Sequence, residues 1–140
     1  MSATPDHDAV LAANEAFYRA FESLELARME QVWLRDQRIA CVHPGWRRLT
    51  GWGPVMTSWE RIFQSAFEMQ FELRDAVVTV RGDLAVVLVE EVLTQRGYDG
   101  ASRSQVIATN VFERADGAWL MTLHHGSPIL APPDDEPPLQ

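Results

Sequence analysis

Lysine is missing from this chain, and all twelve of its basic residues are arginine. A Schiff-base lysine and a phosphate-loop lysine are therefore excluded. Cysteine is nearly missing: Cys41 stands alone, so no internal disulfide can form and no cysteine-rich metal site exists. That usage fits a reducing cytoplasm. No apolar run approaches the ~20 residues of a membrane span, and Met1–His7 is too polar for a signal peptide. The expected address is cytoplasmic, with no membrane partner. Positive charge is scarce as well. The net charge is −8, no basic cluster exists beyond Arg47-Arg48, and nucleic acid is not an expected partner. The sequence has no repeats, no internal linker, no HxH or HxxxH spacing and no Gly-x-Ser-x-Gly elbow.

What is present reads as one α+β domain over residues 1–130, followed by an acidic, proline-rich tail over 131–140 that is expected to be disordered. Thr4-Pro5-Asp6 opens a helix, with proline in the first turn and acid near the positive end of the dipole. Val10, Ala13, Phe17, Ala20, Phe21 and Leu24 then give it one apolar stripe. A short second helix is expected from about Ala27 to Leu34, and a short strand over Arg38–His43. Cys41 to Trp59 is too rich in glycine and proline for one continuous element. It holds three of the five tryptophans and is expected to close one end of a sheet as an irregular loop. Thr57-Ser58-Trp59-Glu60 reads as a capping box for a third helix with a stripe of Trp59, Ile62, Phe63, Ala66 and Phe67.

From Phe71 the period switches to two. Strands are expected over Phe71–Val80, Leu84–Gln95, Ser102–Arg114 and Trp119–Ile129, with Asp116-Gly117 the strongest hairpin signal. The order α-α-β-α-β-β-β-β predicts an antiparallel meander curved around the long first helix. Such a cone leaves a hollow lined by inward side chains. An open sheet with helices on one side leaves its outer face uncovered, so a homodimer through that face is expected.

Several groups could carry chemistry. His43 stands where a strand stops before Pro44: it is a general acid or base at the cavity mouth, or an ordering group bonded to a carbonyl. His124 and His125 point to opposite faces unless the strand bulges, as do Glu90 and Glu91. An inward carboxylate is costly unless paired or protonated. It is then either half of a salt bridge or an acid–base group with a raised pKa. Trp46, Trp52 and Trp59 form an aromatic wall for a small hydrophobic ligand, or they fill the core. Tyr18 turns its hydroxyl into the hollow or flanks the stripe at the surface. His43 with one of the later histidines is too sparse for a metal site, so no metal and no cofactor are expected.

Cys41-Val42-His43-Pro44-Gly45-Trp46, followed by Gly51-Trp52, Val55 and Ser58-Trp59, resembles the SnoaL-like branch of the nuclear transport factor 2-like superfamily, a group of small bacterial proteins. So do Gly82-Asp83-Leu84-Ala85, Thr109-Asn110-Val111-Phe112 and His124-His125-Gly126-Ser127-Pro128, and the likeness spans about residues 8 to 130. It implies the cone fold and a choice of roles that runs from isomerases, dehydratases and polyketide cyclases to kinase association domains and transport factors. Carried onto these positions, it implies Glu91 as the inward carboxyl with Asn110 as its hydrogen-bond partner. The expected catalytic set is His43, Glu91, Asn110 and His125, with Tyr18, Trp46, Trp52, Trp59 and His124 around the substrate. The expected function is cofactor-free acid–base chemistry of isomerase, cyclase or lyase type. The alternative is a ligand-binding or dimeric association module without catalysis. The aspartate pair of ketosteroid isomerase and the Asp-Arg-Asp set of the epoxide hydrolases find no match, since Asp36 and Asp75 are read at element edges.

Overall fold

The stripe that begins at Val10 becomes α1 (Thr4–Ser23), in a computed structural model that describes residues 4–130; the expected tail at 131–140 lies outside them. Val10, Phe17, Ala20 and Phe21 are buried, as their spacing requires. After α1 come α2 (Leu26–Val32), β1 (Ala40–Val42), β2 (Leu49–Thr50), α3 (Trp52–Gln64), β3 (Ala66–Arg81), β4 (Leu84–Gly97), β5 (Gly100–Ala115) and β6 (Ala118–Pro128). The six strands form one sheet in the order β2-β1-β6-β5-β4-β3. From β3 to β6 it is the expected antiparallel meander. At its far side β1 joins β6 in parallel, setting Cys41 opposite His124. The helices lie on the concave side, with α1 against β3, β4 and β6. Asp116 and Gly117 both take positive φ, 51° and 81°, as a two-residue turn matched to the twist of its strands demands.

Three expectations are corrected. The segment after Pro44 is not one irregular loop: it pairs β2 with β1 and then starts α3 at Trp52. Gly51 makes that early start possible with φ 96° and its N–H donating to the Ile39 carbonyl at 2.8 Å. Pro54 follows in the first turn, where its missing N–H costs nothing. The supposed capping box thus falls inside the helix, and Ser58 donates back to the Val55 carbonyl at 2.6 Å. Next, Ala66 and Phe67 belong to β3, not to α3; pairing of Ala66 with Gly97 on β4 overrides the helical spacing. Lastly, Asp75 is not at an edge. It sits inside β3 with φ 56°, where two residues face Val89 alone between the Arg74–Glu90 and Val77–Leu88 pairs. Such a bulge bends the strand and strengthens its twist, curling the sheet toward α1.

Aromatic rings fill the space between α1 and the sheet. Phe17, Tyr18, Trp33, Trp59 and Phe112 are fully buried or nearly so, and Phe17 meets Tyr18, Phe21, Trp33 and Trp59 edge-on. Edge-to-face contact aligns ring edges with the negative faces of their neighbours.

Candidate functional site

A second bulge decides which polar groups converge. Val111 pairs with Leu123 and Phe112 with Met121, so Thr122 is an extra residue on β6. Trp119 and Met121 face inward before it; Thr122, His124 and Gly126 face inward after it. His124 is therefore the buried histidine and His125 is exposed. This corrects the placing of His125 among the inward groups: simple alternation from Trp119 and Met121 would have turned it inside.

On β4 the inward phase runs Val87, Val89, Glu91, and on β5 it runs Ala108, Asn110, Phe112. Asn110 stands directly opposite His124. It is not bonded to Glu91, because Tyr18 lies between them. The Tyr18 hydroxyl donates to Glu91 Oε2 at 2.5 Å, and Asn110 Nδ2 donates to that hydroxyl at 3.1 Å and to Asn14 Oδ1 at 2.9 Å. Asn110 Oδ1 lies 2.6 Å from His124 Nδ1. An amide oxygen only accepts, so His124 carries its proton on Nδ1. The result is one directed chain, His124 to Asn110 to Tyr18 to Glu91, closed inside the core. Burial raises the Glu91 carboxyl to about 7, and the Tyr18 hydrogen bond only partly opposes this. Burial, then the neighbouring Glu91, pushes the Tyr18 hydroxyl well above its ordinary range. His124 is lowered to about 3 by burial first and then by His43 and His125. It is a neutral ring at physiological pH.

His43 follows β1 and is also buried. Its ring lies edge-on between Trp46 and Trp59, with centroids at 4.8 and 4.7 Å, and 6.5 Å from that of His124. Burial lowers its pKa to about 4. His43 Nε2 is 2.8 Å from Ser58 Oγ. The serine has one proton to give, toward the Val55 carbonyl or toward His43. Rotation of that hydroxyl makes His43 a donor in the first case and a bare acceptor in the second. Cys41 Sγ is 3.6 Å from the same nitrogen, but burial pushes its thiol far above the reactive range.

Ser58 is also a wall of a cavity of about 340 Å³ whose other lining residues are Trp46, Leu49, Pro54, Thr57 and Arg61. That volume suits a small molecule. Trp46 lines the cavity and is 42% exposed. Trp59 is instead core, and Trp52 lies elsewhere under the Arg35 guanidinium at 4.1 Å. The three indoles do not form one wall. A cavity of about 330 Å³ opens at the β4–β5 turn and another of about 340 Å³ between α1 and α2. Glu91, Asn110 and His124 line none of the three. Among the described residues no group of three or more His, Cys, Asp or Glu could hold a metal ion, and no helix is long and apolar enough to cross a membrane.

Asn14, Ser58 and Arg61 are site residues that sequence reasoning missed. Asn14 and Ser58 leave a readable trace: each is a polar residue at core spacing on an amphipathic helix, Asn14 four after Val10 and Ser58 three after Val55.

The SnoaL-like domain model matches residues 10–132 of this chain. A candidate dehydratase of the NTF2-like family from Streptomyces avermitilis is 35% identical, with a TM-score of 0.88 over 93% of this chain and 100% of that one. A candidate calcium/calmodulin-dependent protein kinase type II association domain from Thiobacillus denitrificans is 38% identical, with a TM-score of 0.75 over 84% of this chain and 93% of that one. The F-box protein SKIP8 of Arabidopsis thaliana is 26% identical over 122 residues, which are 87% of this chain and 50% of that protein. The chain thus spans half the length of that curated relative.

Proposed function

The chain belongs to the SnoaL-like domain family within the NTF2-like superfamily, and from that premise we propose cofactor-free acid–base chemistry on a small hydrophobic molecule. The reaction is of isomerase, cyclase or lyase type. One observation carries this reading: Ser58, a residue of the cavity wall, is hydrogen-bonded through its Oγ at 2.8 Å to the buried His43. A substrate lying on Trp46 passes its proton to Ser58 Oγ while the serine proton moves to His43 Nε2. Imidazolium in this apolar setting is unstable alone. It becomes favourable only as negative charge develops on the substrate beside it, which ties proton transfer to the reaction coordinate. Within this proposal Tyr18, Glu91, Asn110 and His124 are positioning residues that fix the sheet behind His43.

The test is deuterium uptake at the α-carbon of small apolar ketones and esters incubated with the protein in D₂O. His43→Gln should slow catalysed uptake by about 100-fold while circular dichroism keeps the native spectrum. Unchanged uptake in a folded His43→Gln protein, or none with the wild type, would defeat the proposal.

The outer face of the sheet supports a second reading, association with another copy of this chain. Val77, Leu88 and Ile107 are 57%, 44% and 42% exposed, and Val77 pairs directly with Leu88. Exposed apolar side chains on the open face of a sheet ask for cover. That a similar structure is described as an association domain agrees with it. Sedimentation is expected to give twice the 15.8 kDa of one chain, and Leu88→Arg should return the monomer. A wild type that stays monomeric at ~100 µM, far above the micromolar range of ordinary self-association, rules the dimer out.

A further inference from the structure

We propose that the molecule taken by the Trp46–Arg61 cavity carries a carboxylate, held by Arg61 while its apolar body lies against Trp46, Leu49 and Pro54. This rests on the reading of that cavity as the substrate site. On α3, Pro54, Thr57, Ser58 and Arg61 recur at i, i+3, i+4 and i+7, so one helix face supplies most of the lining. The wall thus has an apolar side, two hydroxyls and one cation, with no acidic side chain among its lining residues. Among the described residues Arg61 has no ion pair, a state it shares with Arg28, Arg35, Arg47, Arg48, Arg81 and Arg103; what sets it apart from these is its place in the lining of this cavity. A guanidinium fork fits a planar carboxylate through two parallel hydrogen bonds. With one cation among its lining residues, on a chain of net charge −8, the cavity suits a monoanion better than a phosphate dianion.

Arg61 is three residues beyond Ser58, a rise of about 4.5 Å along the helix. Arg61 and Ser58 therefore flank the same stretch of the cavity wall.

Benzoate and its neutral isostere benzamide are the probes, followed by titration calorimetry and by the indole N–H resonance of Trp46. Benzoate should bind about tenfold more tightly than benzamide, and Arg61→Gln should remove that margin while leaving benzamide unaffected. Arg61→Lys should restore part of it. Equal affinity for both probes, or an Arg61→Gln protein that still prefers benzoate, overturns the carboxylate assignment and leaves the cavity a binding site. If neither probe moves the Trp46 resonance of the folded protein, the reading of the cavity as the substrate site falls with it.

Discussion

Replacing Asn110 with alanine is expected to destabilise the protein by about 3–5 kcal/mol, the sum of several stranded groups and a small cavity. The amide uses its oxygen for His124 and both of its nitrogen-bound protons, one for Tyr18 and one for Asn14. It is completely buried, so water does not replace it at the surface. Removing it leaves the His124 N–H without an acceptor and the Asn14 oxygen without a donor, each in the core. Asn110→Leu keeps the volume and should lose nearly as much, which separates polar loss from packing loss. Urea midpoints of both variants give the answer. A cost below about 1 kcal/mol, the scale of one ordinary hydrogen bond, would mean that water reaches these groups and that the network is not closed.

The second large effect is a dependence of stability on pH carried by Glu91. Its carboxyl titrates near 4.5 in the unfolded chain and about 7 when folded. A folded pKa raised in this way gives stability that is whole below 4.5 and is lost as pH rises through 7. Each pH unit in that window costs about 1.4 kcal/mol, so about 3 kcal/mol is gone above neutrality. His43 and His124 act in the opposite sense. Their folded values are pushed down to about 4 and about 3; their contribution is whole above 6.5 and is lost as pH falls. The wild type alone mixes these slopes. The difference between wild type and Glu91→Gln isolates the carboxyl, because glutamine keeps an acceptor for the Tyr18 hydroxyl. That difference should move by about 3 kcal/mol between pH 4.5 and pH 8, in favour of glutamine at the higher pH. A difference that stays constant would show Glu91 titrating as an exposed carboxyl.

The cavity beside Ser58 and the buried network differ in setting. One is open, with Arg61 and Trp46 on its wall; the other is enclosed in the core. His43 is the link between them, bonded to the wall through Ser58, with its ring 6.5 Å from that of His124 and both rings against Trp59. The Trp59 indole N–H is the one buried side-chain nitrogen or oxygen without a hydrogen-bond partner among the described residues.

Periodicity by itself determined the long helix, the four-stranded meander and the Asp116-Gly117 turn, because spacings of 3.6 and 2 and a demand for positive φ are local properties of the chain. Paired with the family likeness, it also placed Glu91 and Asn110 inside. Only the tertiary structure decided which later histidine faces inward, since one extra residue at Thr122 inverts the phase of β6 and no residue type there announces it. The same holds for the early start of α3 at Gly51, the parallel pairing of β1 with β6, and the insertion of Tyr18 between Glu91 and Asn110. Each depends on contacts between segments far apart in sequence. Pairing register and burial are set by the whole packed assembly, and no window of neighbouring residues contains them.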